Sequence, residues 1–541
     1  MHRRLVRTLL MPALLAVLIV GGLTWPSASG PAPAGPVSGG KLVVGIVSGL
    51  NHIYIHDTND RYLLQATQYM YEGLFTHDAR GRTVPWLVSS YDVSPDGLTY
   101  TLRLQQGVTF HDGTPFNAAA VKWNLERKLS GKLALFWMLQ VLKSVDVVDD
   151  LTVRLVLNRP NAALPSHLGL GTYGMMSPTA FQRNNADYFR TRAVGTGPYT
   201  LVEFRANEVV KLKKNANYWR KGQPYLDEIE LRVIPDTSAR ALALQAGEVD
   251  VIVNPSETDI ERFTKDPRMG LGVLTRESVD QYYVVMNNLH APLDDRRVRQ
   301  AINYALDKPA MVKSIFRGGG ASVARAPIIG PMANGFAPIG AYPFDRNKAD
   351  ALLKEAGWNV NPRTRMREKD GRPMFIDMWS RKGATNGDFE TAELIQAQLR
   401  EVGIGVNLTI LDPAYWHAQI TVAPDKAKYD MISTSWGTFT CDAEYTMNYL
   451  FVSTSVPPGR RNRMFYKNPE VDRLIEQGNV APTVAERNRY YAAALRAIYE
   501  DAPLIQLFQI KEAIAFKNTV RGAEIDPCQL THPAQFAWKA R

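Results

Sequence analysis

Residues 375–379, FIDMW, read as a strand, and Ala392, Ile395, Leu399 and Val402 then recur at helical spacing up to Gly403. Directly afterwards Ile404, Val406, Leu408 and Ile410 alternate with period two. A strand, a helix and a second strand joined this closely bury the helix stripe against the sheet the strands build, which commits the region to an α/β lobe. A second helix, carrying Val298, Ala301, Ile302, Ala305 and Leu306 on one stripe, is expected to start near Asp294 and Asp295.

The first half is richer in strands. KLVVGIV (41–47) opens it, and a turn at Pro95, Asp96 and Gly97 precedes a strand that places Tyr100, Leu102 and Leu104 on one face. LTVRLVL (151–157), EVVKLKK (208–214) and EIELRVI (228–234) alternate in the same way. Near the end, Tyr491, Leu495 and Ile498 share a helix face before Pro503, and PLIQLFQI reads as a strand returning the chain toward its first lobe.

At 541 residues the chain is too long for one ordinary domain, and 45% hydrophobic residues supply a large core. Two cysteines exclude a disulfide-dense scaffold. The formal charge of +10, from 63 Lys and Arg against 53 Asp and Glu, is dispersed, so no nucleic-acid partner is expected. The short clusters Arg363, Arg365, Arg367 and Arg460, Arg461, Arg463 read as solvated loops.

Arg3, Arg4 and Arg7 precede an apolar run from Leu9 to Leu23 and then a stretch rich in Pro, Gly and Ser, the layout of a secretory signal peptide. Pro12 and Gly21 interrupt the run, which argues against a membrane-spanning helix. Cleavage is expected between Ala28 and Ala34. Residues 1–30 are assigned to the signal and 31–40 to a flexible mature start. With only Cys441 and Cys528 present, no cysteine stands near the cleavage region to take a lipid, and a periplasmic protein is expected. There the two thiols either form a disulfide or stay separate and buried.

Catalytic motifs are scarce. Gly35 to Leu42 comes near a P-loop, but Leu42 replaces the magnesium-binding hydroxyl and the segment precedes a strand. Neither a G-x-S-x-G elbow nor an H-E-x-x-H helix occurs. His52 and His56, with Asp57 beside them, are the best metal candidates; in an extended segment they need not converge, and no metal or other cofactor is assigned.

Several stretches together resemble the family 5 extracellular solute-binding proteins, the oligopeptide, dipeptide and nickel binders of bacterial ABC importers. The most specific is SPDGLTYTLRLQQGVTFHDGTPFNAAAVKWNLER, Ser94 to Arg127, followed by GTGPY, NANYW, YLDEIELRVIPD, ALQAGEVDVI, DDRRVRQAINYALDK and AELIQAQLREVGIGV. The resemblance implies an α/β fold of the two-lobed periplasmic-binding-protein type II (cluster C), with an extra subdomain at about 86–194 in the first lobe. Lobe I would span 41–285 and lobe II 286–505, with 506–541 returning to lobe I and crossing strands near QYYVVMNN and PLIQLFQI. It also implies a monomer without catalysis, whose partners are a small or peptide-like ligand and an ABC permease and ATPase complex. An exported hydrolase and a ligand-presenting partner of a chemoreceptor are the alternatives.

In dipeptide-binding relatives a tryptophan is followed three residues later by an aspartate that neutralises the peptide's amine. Here Trp436 is followed by Gly437, Thr438 and Phe439, so the acid is missing. A buried ammonium without its partner forfeits about 2–5 kcal/mol, a large part of the roughly −8.2 kcal/mol of a micromolar affinity. Asp442 stands three residues on, at a second family acid of more structural role. Arg381 or Lys382 falls near the arginine that holds a ligand carboxylate in those relatives. The resemblance thus points to Asn51, His52, Trp137, Arg381, Trp436, Thr438, Phe439 and Asp442 as ligand-contact candidates.

Overall fold

Two long antiparallel strands, Leu271–Met286 and Leu504–Lys517, hold the molecule together. The computed structural model describes residues 35–541 except 48–49, 318, 382–386, 482, 529–531 and 541. The expected signal peptide with its cleavage region, and Lys382, lie outside the described residues. Val37–Arg541 forms one unit.

One 11-stranded mixed sheet runs through this unit. On one side of the long pair, Met431–Gly437 pairs with 280–286 and is followed outward by Phe375–Arg381 and Gly405–Leu411. The last two are parallel and joined by the helix Asp388–Glu401, which is the strand, helix, strand unit read from the sequence. On the other side, Val251–Val253 pairs with 514–516, and Lys41–Ile46, Glu228–Val233, Val209–Lys214 and Tyr199–Arg205 complete the sheet. The helix Arg296–Tyr304 is capped by the Asp295 side chain, and Val298, Ala301, Ile302, Ala305 and Leu306 are all fully buried behind it.

The ladder between the two long strands shifts register part-way. Residues 271–277 pair with 511–517 and 281–285 with 504–509, with the ladder out of register between Glu277 and Gln281. Side chains fill that gap: Gln509 donates to the Ser278 and Asp280 carbonyls, Ser278 donates to the Ile510 carbonyl, and Gln281 donates to the Ile329 carbonyl. All three are buried, so the interrupted backbone groups keep partners while the strands pass from one half to the other.

A separate four-stranded antiparallel sheet, ordered Val88–Val93, Thr99–Leu104, Thr152–Leu157, Leu142–Asp149, carries its own core beneath the helix Ala118–Ser130. These elements lie within the stretch 86–194 expected to form the extra subdomain. Its turn at 95–97 is as the sequence implied: Gly97 adopts φ +69° and the Asp96 carboxylate accepts from the Leu98 amide. The F-H-D-G-x-P-F turn docks it on the first half, His111 donating its amide to the Gly195 carbonyl and Asp112 accepting from the Ser177 hydroxyl at 2.6 Å.

Of the two states open to the cysteines, the structure shows the bonded one: Cys441 and Cys528 form a disulfide, with the Cα atoms 5.4 Å apart. Both are fully buried in the apolar cluster of the second half, whereas Ile525, Ala534 and Ala537 pack into the core of the first. The bridge therefore ties the closing segment of the chain to the loop after Trp436. Gly81 approaches the same place so closely that a Cβ there would lie 2.1 Å from the Met332 carbonyl, and its φ of +75° is one only glycine adopts freely.

Candidate functional site

Trp436 closes the strand Met431–Gly437, opposite Gln281 on the first long strand, and its indole N–H donates to the Thr446 hydroxyl at 3.0 Å. The loop that follows is held from within. Thr438 donates toward the Ile328 carbonyl and shares a 2.8 Å hydrogen bond with Thr446. Asp442 accepts from the Glu444 amide through Oδ1, and from Arg487 at 2.7 Å and Asn334 at 3.1 Å through Oδ2. Thr438 and Asp442 are thus buried inside the second half with their polar atoms occupied, while Trp436 and Phe439 stay half-exposed.

The exposed part of this loop belongs to an aromatic stack. Tyr445 lies 5.2 Å from Trp436 and 4.6 Å from Phe439, ring centre to ring centre. Tyr449, in the π-helical turn Met447–Phe451, lies 5.5 Å from Trp436. Trp137 reaches across from the extra subdomain and lies on Tyr449 at 5.4 Å with the planes only 9° apart. Such contacts add about 0.5–1.5 kcal/mol each beyond area burial. Trp137, Trp436 and Phe439 are therefore brought together by Tyr445 and Tyr449. Sequence reasoning missed both tyrosines, although their spacing of four beside the tryptophan loop is a helix-face signal.

A polar contact accompanies the stack: His167 Nε2 lies 2.9 Å from Glu444 Oε2. Burial pushes the Glu444 carboxyl up, but His167, with Arg487 and Arg159, outweighs it and holds the carboxyl below the usual range. A carboxyl lowered in the folded state contributes stability that is complete above about pH 4.5 and lost as pH falls through the lowered value. Melting temperatures measured from pH 6 to pH 3 should fall more steeply for the wild type than for Glu444→Gln, and the two curves should draw together at the acid end.

Arg381 ends the strand Phe375–Arg381, donates to Asp388 at 3.3 Å and rests 4.2 Å over the Trp416 ring. Arg463 approaches the same ring at 5.9 Å. The 460–463 cluster is therefore not the solvated loop its sequence suggested. Arg463 is only 6% exposed, and Arg460 lies 4.9 Å over Trp137. Arg367, also expected in a solvated cluster, is 2% exposed and paired with Asp350. Burial brings Arg463 down to about 10, and the His417 imidazole is held below its ordinary value by burial and by Arg463, Arg461 and Arg381.

Asn51 and His52 line a different opening of about 550 Å³, with Thr58, Asp60, Asn207 and Pro235. His56 is buried, hydrogen-bonded to the Gly174 carbonyl, and flanked by Arg127 and Lys128. Its burial and those cations hold its imidazole well below the ordinary value, an environment that repels a metal ion. Among the described residues, the one close group of potential metal ligands is His77 with Cys441 and Cys528, whose sulfurs are bonded to each other.

The model of the bacterial extracellular solute-binding proteins, family 5 (middle), matches residues 82–457, more than half of the chain. The chain belongs to this family. Among its relatives this family 5 protein is 32% identical over 501 residues to the glutathione-binding protein GsiB of Pectobacterium atrosepticum, covering 91% of this chain and 93% of that one. Among solved structures it resembles NikA from Brucella suis in complex with Fe(III)-EDTA, at 28% identity and TM-score 0.82, over 92% of this chain and all of that one. The oligopeptide-binding protein AppA from Bacillus subtilis, in complex with a nonapeptide, shares the fold at TM-score 0.76 and 24% identity, over 94% of this chain. The two-lobed type II binding-protein architecture with an extra subdomain is thereby shared, and this family 5 protein is a solute-binding protein. Among the described residues no helix is long and apolar enough to cross a membrane.

Proposed function

We propose that the chain captures a peptide-like or amine-poor solute between its lobes in the periplasm and delivers it, chemically unchanged, to an ABC permease and ATPase complex. Lobe I would span 41–285 and lobe II 286–505, with 506–541 returning to lobe I, so that the chain crosses between them in the two long strands, whose ladder shifts register between Glu277 and Gln281. Trp436, Phe439, Trp137 and Arg381 form the contact surface of the second lobe and subdomain. Asn51 and His52, at their separate opening, would add contacts from the first lobe, while Thr438 and Asp442 shape the loop from inside. The relatives' named cargoes, glutathione and a peptide, agree with this class of solute.

The observation that carries the reading is the tryptophan loop itself: its side chain at the third position is the partly buried aromatic Phe439, set against Tyr445 at 4.6 Å. An amine-terminated peptide finds no carboxylate there, whereas a planar or apolar group finds a ring. Capture works by preference for the closed form, since a ligand moves an open and closed equilibrium only by its differential affinity. Mass spectrometry of the native protein should detect a co-purifying solute, which on re-addition raises the melting temperature without being consumed. In calorimetry, Phe439→Asp should tighten binding of free-amine dipeptides by about tenfold or more, the value of one charge-assisted contact. Unchanged or weaker binding would remove the amine argument.

A further inference from the structure

Three side-chain atoms that thiophilic metals favour meet where three separate segments of the chain come together. The short hairpin of Phe75–His77 and Thr83–Pro85 pairs His77 with Thr83. Its turn is fixed by the Asp78 carboxylate, which accepts from the Arg80 and Arg82 amides and from the Arg82 guanidinium. The hairpin leans on the disulfide: a Cβ on Gly81 would stand 3.3 Å from Cys441 Sγ, and a ring nitrogen of His77 and the sulfurs of Cys441 and Cys528 all lie within 4.8 Å of one another. His77 Nε2 is enclosed and has no hydrogen-bond partner. Burial holds this imidazole below its ordinary value against the opposing pull of Asp526, the Thr440 backbone, Asp442 and Asp78, so the ring is neutral at pH 7 and keeps a lone pair to donate.

The cysteine backbones are held independently of the bridge. Cys441 donates its amide to the Thr438 carbonyl at 2.8 Å and accepts from the Asn334 amide at 2.7 Å, and the Cys528 amide donates to the Asp526 carboxylate at 2.7 Å. Opening the S–S bond therefore frees two sulfurs whose main chains stay anchored beside His77. A thiolate, unlike a bonded sulfur, is a strong metal ligand, and two thiolates with one imidazole make the ligand set of a zinc site with one open position. The site also has an approach. His77, Asp526 and Pro527 line an opening of about 370 Å³, on whose wall the carboxylates Glu72, Asp78, Glu524 and Asp526 outnumber the guanidinium groups of Arg220 and Arg276. That balance favours entry of a cation.

We propose that reduction of the Cys441–Cys528 bridge by a dithiol turns it into a metal site, in which His77 and both cysteine thiolates hold zinc or a like thiophilic cation. The dithiol is oxidised to its own disulfide and gives up two electrons and two protons, which leave Cys441 and Cys528 as thiols. The metal then takes both thiolates and releases those protons to solvent. Disulfide and metal are alternative cross-links between the loop after Trp436 and the closing segment, and the metal adds the hairpin that carries His77. The site is independent of solute capture and stands whichever solute the protein carries.

The test compares the oxidised mature protein with the same protein reduced by dithiothreitol in urea and returned to native buffer free of oxygen, its two thiols confirmed by titration. Competition against a chromophoric chelator should find one zinc ion per reduced chain, and cobalt(II) in its place should show thiolate-to-metal charge-transfer absorption. The oxidised protein should lack both. Zinc should raise the melting temperature of the reduced protein and leave that of the oxidised protein unchanged. His77→Gln should weaken zinc binding by the reduced chain by about 100-fold, one ligand's share of a structural zinc affinity. If the reduced chain does not refold alone, zinc should restore its near-ultraviolet circular dichroism and should fail to do so for His77→Gln. No zinc bound by the reduced chain, binding no tighter than in the oxidised form, or an affinity that His77→Gln leaves within about twofold of wild type would overturn the proposal.

Discussion

Replacing Cys441 and Cys528 together by alanine is expected to lower the unfolding free energy by about 4–5 kcal/mol. The bridge closes a loop across 87 residues of sequence, and cross-linking positions that far apart removes that much chain entropy from the unfolded state. Both cysteines are fully buried, so alanine leaves no unsatisfied group and the loss of the link dominates. The two parts it joins differ in origin: one is the loop after Trp436, the other the closing segment that packs through Ile525, Ala534 and Ala537 into the cluster of Leu42, Val44 and Tyr69. Urea unfolding of the oxidised wild type and the double alanine variant measures the effect. A difference under about 1 kcal/mol would mean that the packing alone holds this segment and that the bridge is idle.

Asp442→Ala should be nearly as costly, by about 3–5 kcal/mol, because it strands a buried guanidinium. The side chains of Asp442 and Arg487 are 1% and 2% exposed and meet at 2.7 Å. Asn334 loses an acceptor by the same change. Arg487→Met alone should be costly as well, since it leaves the carboxylate uncompensated. The double variant Asp442→Ala with Arg487→Met should recover much of the loss, as neither charge then remains. A double-mutant cycle by chemical denaturation reads the coupling directly. Simple additivity would show that the two groups act independently and that Asp442 faces solvent or ligand after all.

Elements governed by short-range pattern were legible in the sequence. The strand, helix, strand unit at 375–411, the cap at Asp295 and the turn at 95–97 rest on periodicity and local chemistry, and each stands where those rules put it. The family motifs located the tryptophan loop for the same reason, as a contiguous string. What the sequence concealed depends on contacts between distant segments. Nothing local to Trp137 tells that it lies on Tyr449, and RRNR reads as a water-facing run until the fold encloses Arg463 beneath Trp416. Whether a cation is solvated is a property of what packs on it, which spacing along the chain does not encode.

The near-parallel seating of Trp137 on Tyr449 also equips the protein with an optical gauge. An indole held 5.4 Å from a phenol ring, with the Arg460 guanidinium 4.9 Å from its face, emits from a different environment than one facing water. Parting of the jaws would strip away that ring and that cation together, so the colour and yield of this native fluorophore would report each cycle of gripping and release, without any attached dye.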